Sequence, residues 1–196
     1  MSDERRELPT LSFATRAAFA RWLHKHHEAA PGLWLRIAKK AAPETPASVT
    51  YPEAVEIALC YGWIDGQKKG DGATHWLQKF SPRGKRSLWS KINRDKVVAL
   101  IEAGEMKPAG LREIERAKQD GRWKAAYDSP RGATVPPDLA AALAESPGAQ
   151  AFFATLNAAN RYAILWRLQT AKKPETRARR LQQFIQMLRD GKKLYP

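Results

Sequence analysis

The residues best able to do chemistry together lie between Tyr61 and Asn93. Asp65, between Ile64 and Gly66, is a carboxylate in an apolar, aromatic stretch. There a raised pKa would make it a general base, and the alternative is a turn or pairing residue. Arg83, Lys85 and Arg86 precede Ser87 and Ser90, and Ser90 stands where it would cap a helix. A helix N-terminus offers unpaired amides and the positive end of a dipole, and arginine forks fit phosphate and carboxylate. Asp65, Arg83, Arg86, Ser87, Trp89, Ser90, Lys91 and Asn93 are therefore the candidate anion-binding residues. Asp65 could orient Arg83 within that site, or simply pair with it. Trp63, Trp76 and Trp89 lie among these cations, as in proteins that bind single strands by stacking bases on aromatic rings. The plainer alternative puts them in the core.

Charge points the same way. The chain of 196 residues has a net charge of +14, and two segments carry it. From Lys79 to Lys96 seven basic residues face one acid, and from Arg161 to the C-terminus ten face two. An excess so concentrated steers anionic partners: nucleic acid, a phosphorylated metabolite or an acidic protein surface. In the second segment Arg177, Arg179 and Arg180 open a helix and are candidate contacts to nucleic acid or a partner, or else a solvated face.

Other chemistry finds little support. His24 and His27 share a helix face at i, i+3, but no acidic or cysteine neighbour completes a metal set, so no metal is assigned. Cys60, the single cysteine, excludes an internal disulfide and reads as a buried thiol on a helix. Walker A, G-x-G-x-x-G, H-E-x-x-H and G-x-S-x-G patterns are missing, and no cofactor is implied. No apolar run approaches the roughly 18 residues of a membrane span, and MSDERRELPT lacks the apolar stretch of a secretory signal. A cytoplasmic protein is expected.

The elements that must position these residues follow from periodicity and punctuation. A helix is expected over residues 15–29, with Phe19, Trp22, Leu23 and His26 on one stripe, ended by Pro31-Gly32. Leu33–Ala38 alternates as a strand, and a proline-rich loop follows over residues 41–49. Thr50-Tyr51-Pro52-Glu53 forms a capping box for a helix that carries Val55, Ala58 and Leu59 inward and stops at Gly62. Strands over 63–68 and 74–80 flank a hairpin loop, Lys69-Gly70-Asp71-Gly72. Helices follow from Ser90 to Gly104, with Val97, Leu100 and Ile101 inward, and from Pro108 to Asp120. Four more are expected near 138–145, 147–156, 158–171 and 174–190. The fold class is α+β: a small antiparallel sheet with helices in the N-terminal part, and an all-helical C-terminal part. Residues 128–137, rich in Pro and Gly, mark a boundary between an α+β domain, 1–127, and a helical domain, 128–196.

The blocks Tyr61–Lys68, Trp76–Arg83 and Arg86–Asn93 resemble the YdeI/OmpD-associated family, also labelled bacteriocin-protection proteins. The resemblance continues through Glu105–Gly110, Ala117–Trp123, Val135–Leu139 and Ala171–Arg180, nearly the whole chain. It implies a bacterial protein of bacteriocin or envelope-stress protection, and it supplies no reaction, catalytic residue or cofactor. The expected function is a non-enzymatic protein that binds an anionic ligand or nucleic acid through a basic surface. The alternative is a small enzyme for an anionic metabolite, with Asp65, Arg83, Ser87 and Asn93 converging on a pocket. A third is docking of the helical half on an acidic protein partner.

Overall fold

The computed structural model describes residues 7–39 and 47–196. Most of the proline-rich loop expected over 41–49 lies outside them. The chain forms two compact units: the described residues up to Leu88 with Asn93–Lys124, and Trp89–Ile92 with Ala125–Pro196.

The first unit is a sheet backed by helices. Helix α1, Arg16–His26, starts at Thr15, whose hydroxyl accepts from the Ala18 amide and so satisfies one of the unpaired first-turn donors. Phe19 and Leu23 are buried and Trp22 half-buried, while His26 is exposed and rests against the Trp22 ring. Strand β1, Thr10–Leu11, pairs in parallel with β2, Leu33–Ala38. A two-residue strand has too little pattern to read from sequence, and the expected all-antiparallel sheet gains a parallel edge through it. Helix α2, Tyr51–Cys60, carries the complete Thr50–Glu53 capping box and ends before Gly62, which has φ of 73°. Strands β3, Trp63–Asp71, and β4, His75–Pro82, make the hairpin and complete the order β1-β2-β4-β3. Lys69, Gly70 and Asp71 belong to the strand rather than to a loop, and the turn is Gly72–Thr74. The Arg36 Nε to Asp71 Oδ2 contact, 2.5 Å, pins the hairpin tip to β2.

Leu33, Leu35 and Ile37 alternate onto the buried face of the sheet, with Phe80 opposite Leu33. Phe19 meets Phe80 edge-on at 5.9 Å, and Trp63 donates from Nε1 to His27 O at 3.1 Å. Helices α3, Lys91–Glu102, and α4, Pro108–Gln119, follow. Val97 and Leu100 are buried, whereas Ile101 is exposed, contrary to the expected stripe. Gly110 lets α4 approach α2 closely: a Cβ there would stand 2.4 Å from Cys60 O. Glu56 on α2 binds Arg16 of α1 and Lys96 of α3, each at 2.9 Å.

The second unit is helical. Helices α5, Pro137–Ala144, α6, Pro147–Thr155, α7, Ala158–Gln169, and α8, Pro174–Arg189, surround Leu139, Leu143, Phe153, Ile164, Leu168, Phe184, Ile185 and Leu188. Each helix begins with a proline in its first turn or, for α7, with the Asn157 cap, so the start signals are local. No helix among the described residues is long and apolar enough to cross a membrane.

Candidate functional site

The segment between β4 and α3 is irregular, and its backbone carbonyls need donors. Three guanidinium groups supply them within the first unit. Arg83 Nη1 donates to Leu88 O at 3.1 Å, Arg122 Nη1 to Ser87 O at 2.8 Å, and Arg116 Nη2 to Arg83 O at 3.2 Å. Arg83 is only 4% exposed, so its side chain lies inside the fold. Ser87 is engaged locally: its hydroxyl accepts from the Gly84 amide at 3.0 Å. Asp65, on β3 opposite Phe80, accepts from the Tyr51 hydroxyl at 2.7 Å. Arg86 is exposed, and Asn93 is half-buried in the first turn of α3. Arg83 and Ser87 are engaged with their own segment, and Asp65 with Tyr51.

The neighbouring residues belong to the second unit. Trp89 is 2% exposed. Ser90 stands just before α3 and bridges Tyr127, whose amide donates to Trp89 O and whose carbonyl accepts from the Lys91 amide. Lys91 Nζ pairs with Asp128 at 2.6 Å. These residues tie the chain to itself.

The C-terminal arginines divide. Arg177 makes a two-pronged contact with Asp138, 2.7 and 2.8 Å, and donates to Leu168 O at 2.7 Å. Those hydrogen bonds hold the Asp138 carboxyl below its ordinary value. Arg180 Nη1 donates to Arg167 O at 2.5 Å. Of the three, Arg179 alone is exposed.

Another basic site was not singled out from sequence. The register places Gly70 opposite Trp76, and Lys68 and Lys69 beside them. With Lys39, which follows the last residue of β2, they line a groove of about 400 Å³, within the usual size range of ligand pockets. The half-exposed Trp76 indole shares this groove with Lys39 and Lys68, and no carboxylate is among its described lining residues. The two acids of β3 are engaged elsewhere, Asp71 with Arg36 and Asp65 with Tyr51. Tyr51 packs on the Trp76 ring at 5.6 Å, and Lys69 Nζ lies 4.3 Å from the centre of the Trp34 ring. Lys39 Nζ donates to Gly72 O at 2.9 Å. Six residues of β4 separate Trp76 from Pro82, roughly 20 Å at the rise of a strand, so this groove and the Arg83 segment lie at opposite ends of the hairpin. The clue in the sequence was Lys68-Lys69 two residues before Asp71-Gly72, but a loop assignment removed their register.

Among the described residues no three His, Cys, Asp or Glu side chains stand close enough to hold a metal ion. His27 Nδ1 contacts Leu23 O at 2.9 Å, and His75 Nδ1 contacts the Thr74 hydroxyl at 2.8 Å. Burial first, and then Glu105, push the Cys60 thiol up to about 11, which leaves it an un-ionised core group.

Comparison with known proteins yields two family matches. Residues 11–113 match a family described as a Domain of unknown function (DUF8412), and residues 132–191 match the family described as Bacteriocin-protection, YdeI or OmpD-Associated. The motifs from Tyr61 to Asn93 fall in the first match, and Asp138 with the Arg177–Arg180 segment in the second. No curated protein and no solved structure matches the chain. The chain therefore belongs to the DUF8412 family, over more than half its length, and its residues 132–191 are similar to the YdeI/OmpD-associated family.

Proposed function

We propose that this is a non-enzymatic, cytoplasmic binding protein of bacteriocin or stress protection whose first unit holds single-stranded nucleic acid on the hairpin groove. The single observation that carries the binding is the lining of that groove, Lys39, Lys68, Lys69 and Trp76, with the β3 carboxylates Asp71 and Asp65 paired elsewhere. Lysines supply sequence-independent attraction to phosphate, and the indole supplies a surface on which any base stacks, typically about 1–3 kcal/mol per base. The protective role is supported by the YdeI/OmpD-associated match. The cytoplasmic setting accords with a lone, buried cysteine outside any disulfide.

The test is fluorescence anisotropy of a labelled oligothymidylate at low salt. Trp76→Ala and Lys68→Glu should each weaken binding at least roughly tenfold, a loss of about 1.4 kcal/mol, while Arg86→Ala at the other end of the hairpin should not. Equal affinity of all four proteins would overturn the assignment. So would tight binding of inorganic pyrophosphate with none of the oligonucleotide, which would replace nucleic acid by a small phosphorylated ligand.

A further inference from the structure

The second unit contains a cavity unlike the basic groove. Along α7, Ala158, Ala159, Tyr162, Ala163, Trp166 and Arg167 recur at the spacing of one helical face. With Tyr127, Pro130 and Tyr195 they line a cup of about 570 Å³. Four aromatic rings form its walls, and the three alanines end at Cβ, so a flat body can lie against the helix. Tyr127 and Trp166 stand edge-on, 6.1 Å apart at 88°.

Two of the wall phenols, Tyr162 and Tyr195, are held by hydrogen bonds. The Tyr162 hydroxyl donates to Asp128 O at 2.9 Å, and burial pushes that phenol up to about 12, so it stays neutral. Tyr195 sits on the tail after α8, and the tail is built into the unit. Asn160, 1% exposed, accepts from the Leu194 and Tyr195 amides at 3.0 and 2.9 Å and donates to Tyr195 O at 3.3 Å.

Among the described residues one charged side chain lines the cup, Arg167. Its guanidinium lies 5.8 Å from the centre of the Tyr195 ring and donates to the Tyr195 hydroxyl at 3.3 Å and to Ala163 O at 3.0 Å. No carboxylate is among the described lining residues, and Asp128, next to Tyr127, is held by Lys91 and Gln169. An aromatic box that takes a quaternary ammonium uses ring faces alone; here the cation in the wall opposes a second cation and favours an anion.

We infer that the cup binds a small planar aromatic anion, one or two fused rings bearing a carboxylate or sulfonate, with the rings between Tyr127, Tyr162, Trp166 and Tyr195 and the acid group on Arg167. This is independent of the nucleic-acid groove, since no residue lines both.

The probe is 1-anilinonaphthalene-8-sulfonate, titrated by fluorescence into the full chain beside N-phenyl-1-naphthylamine, which has the same rings without the acid. One saturable site is expected for the sulfonate, with the neutral compound binding more weakly. Arg167→Gln should weaken the sulfonate about tenfold and leave the neutral compound unchanged. Ala159→Phe, at an exposed position where the fold tolerates a larger side chain, should block both. Indifference of sulfonate binding to both substitutions would overturn the proposal. Failure of the wild-type chain to bind the sulfonate would also overturn it, as would happen if a second copy filled the cup.

Discussion

Arg83 shows how a residue's type can be legible while its role is not. Its sequence setting, among Lys85, Arg86 and Ser87, suits an anion site, and in the structure its Nη1 donates to the Leu88 carbonyl of its own segment. Nothing in residue order shows that the chain between β4 and α3 lacks regular pairing and so needs internal donors. The consequence is testable by urea unfolding. Arg83→Ala should cost about 1.5–3 kcal/mol, the range for a buried charge-assisted hydrogen bond, whereas exposed Arg86→Ala should stay within about 0.5 kcal/mol. Asp138 gives a pH prediction. Its pKa is depressed in the folded state, so it contributes stability that is fully present above its ordinary value of 3.8 and is lost as pH falls below that value. Unfolding midpoints of Asp138→Asn and the wild type should converge as pH drops below about 4, with the variant less stable above it. A constant gap down to pH 2 would contradict the Arg177 pairing.

At the scale of elements, the helices were the most legible part because their signals are local. Thr50 and Glu53 close the capping box that their spacing announces, and prolines open α5, α6 and α8 close to the expected positions. The sheet was less legible. Strand β2 is where its alternation puts it, but β1 is too short to register and β3 runs three residues further than its composition suggests, because Arg36 on another strand holds Asp71. That longer-range contact also sets the register that gathers Lys68 and Lys69 with Trp76, so the groove could not be read without it. The packing of α2 on α4 hides a similar dependence at Gly110. Alanine is the better helix former by about 1 kcal/mol, yet a Cβ there would collide with Cys60 O and, at 2.7 Å, with Leu59 O. Gly110→Ala should therefore lower stability by about 1–3 kcal/mol through overpacking. A more stable variant in thermal unfolding would show that the two helices separate freely.

For the whole molecule, a net charge of +14 invited a single anion surface, and the structure divides it by use. Lys91, Lys96 and Arg177 are paired with carboxylates, and Arg83 and Arg180 with backbone carbonyls. What composition counts as surplus is in part the mortar of each unit. The lysines of the Trp76 groove were outside both counted segments, and no acid is among its described lining residues. The central claim is that these lysines meet phosphate, and the salt dependence of oligothymidylate binding tests it most directly. Two or three phosphate contacts should give a slope of log affinity on log salt of about −1.4 to −2.1, and Lys68→Glu should flatten it by at least about 0.7. Absence of binding at low salt, or a Lys68→Glu slope equal to that of the wild type, would contradict the account.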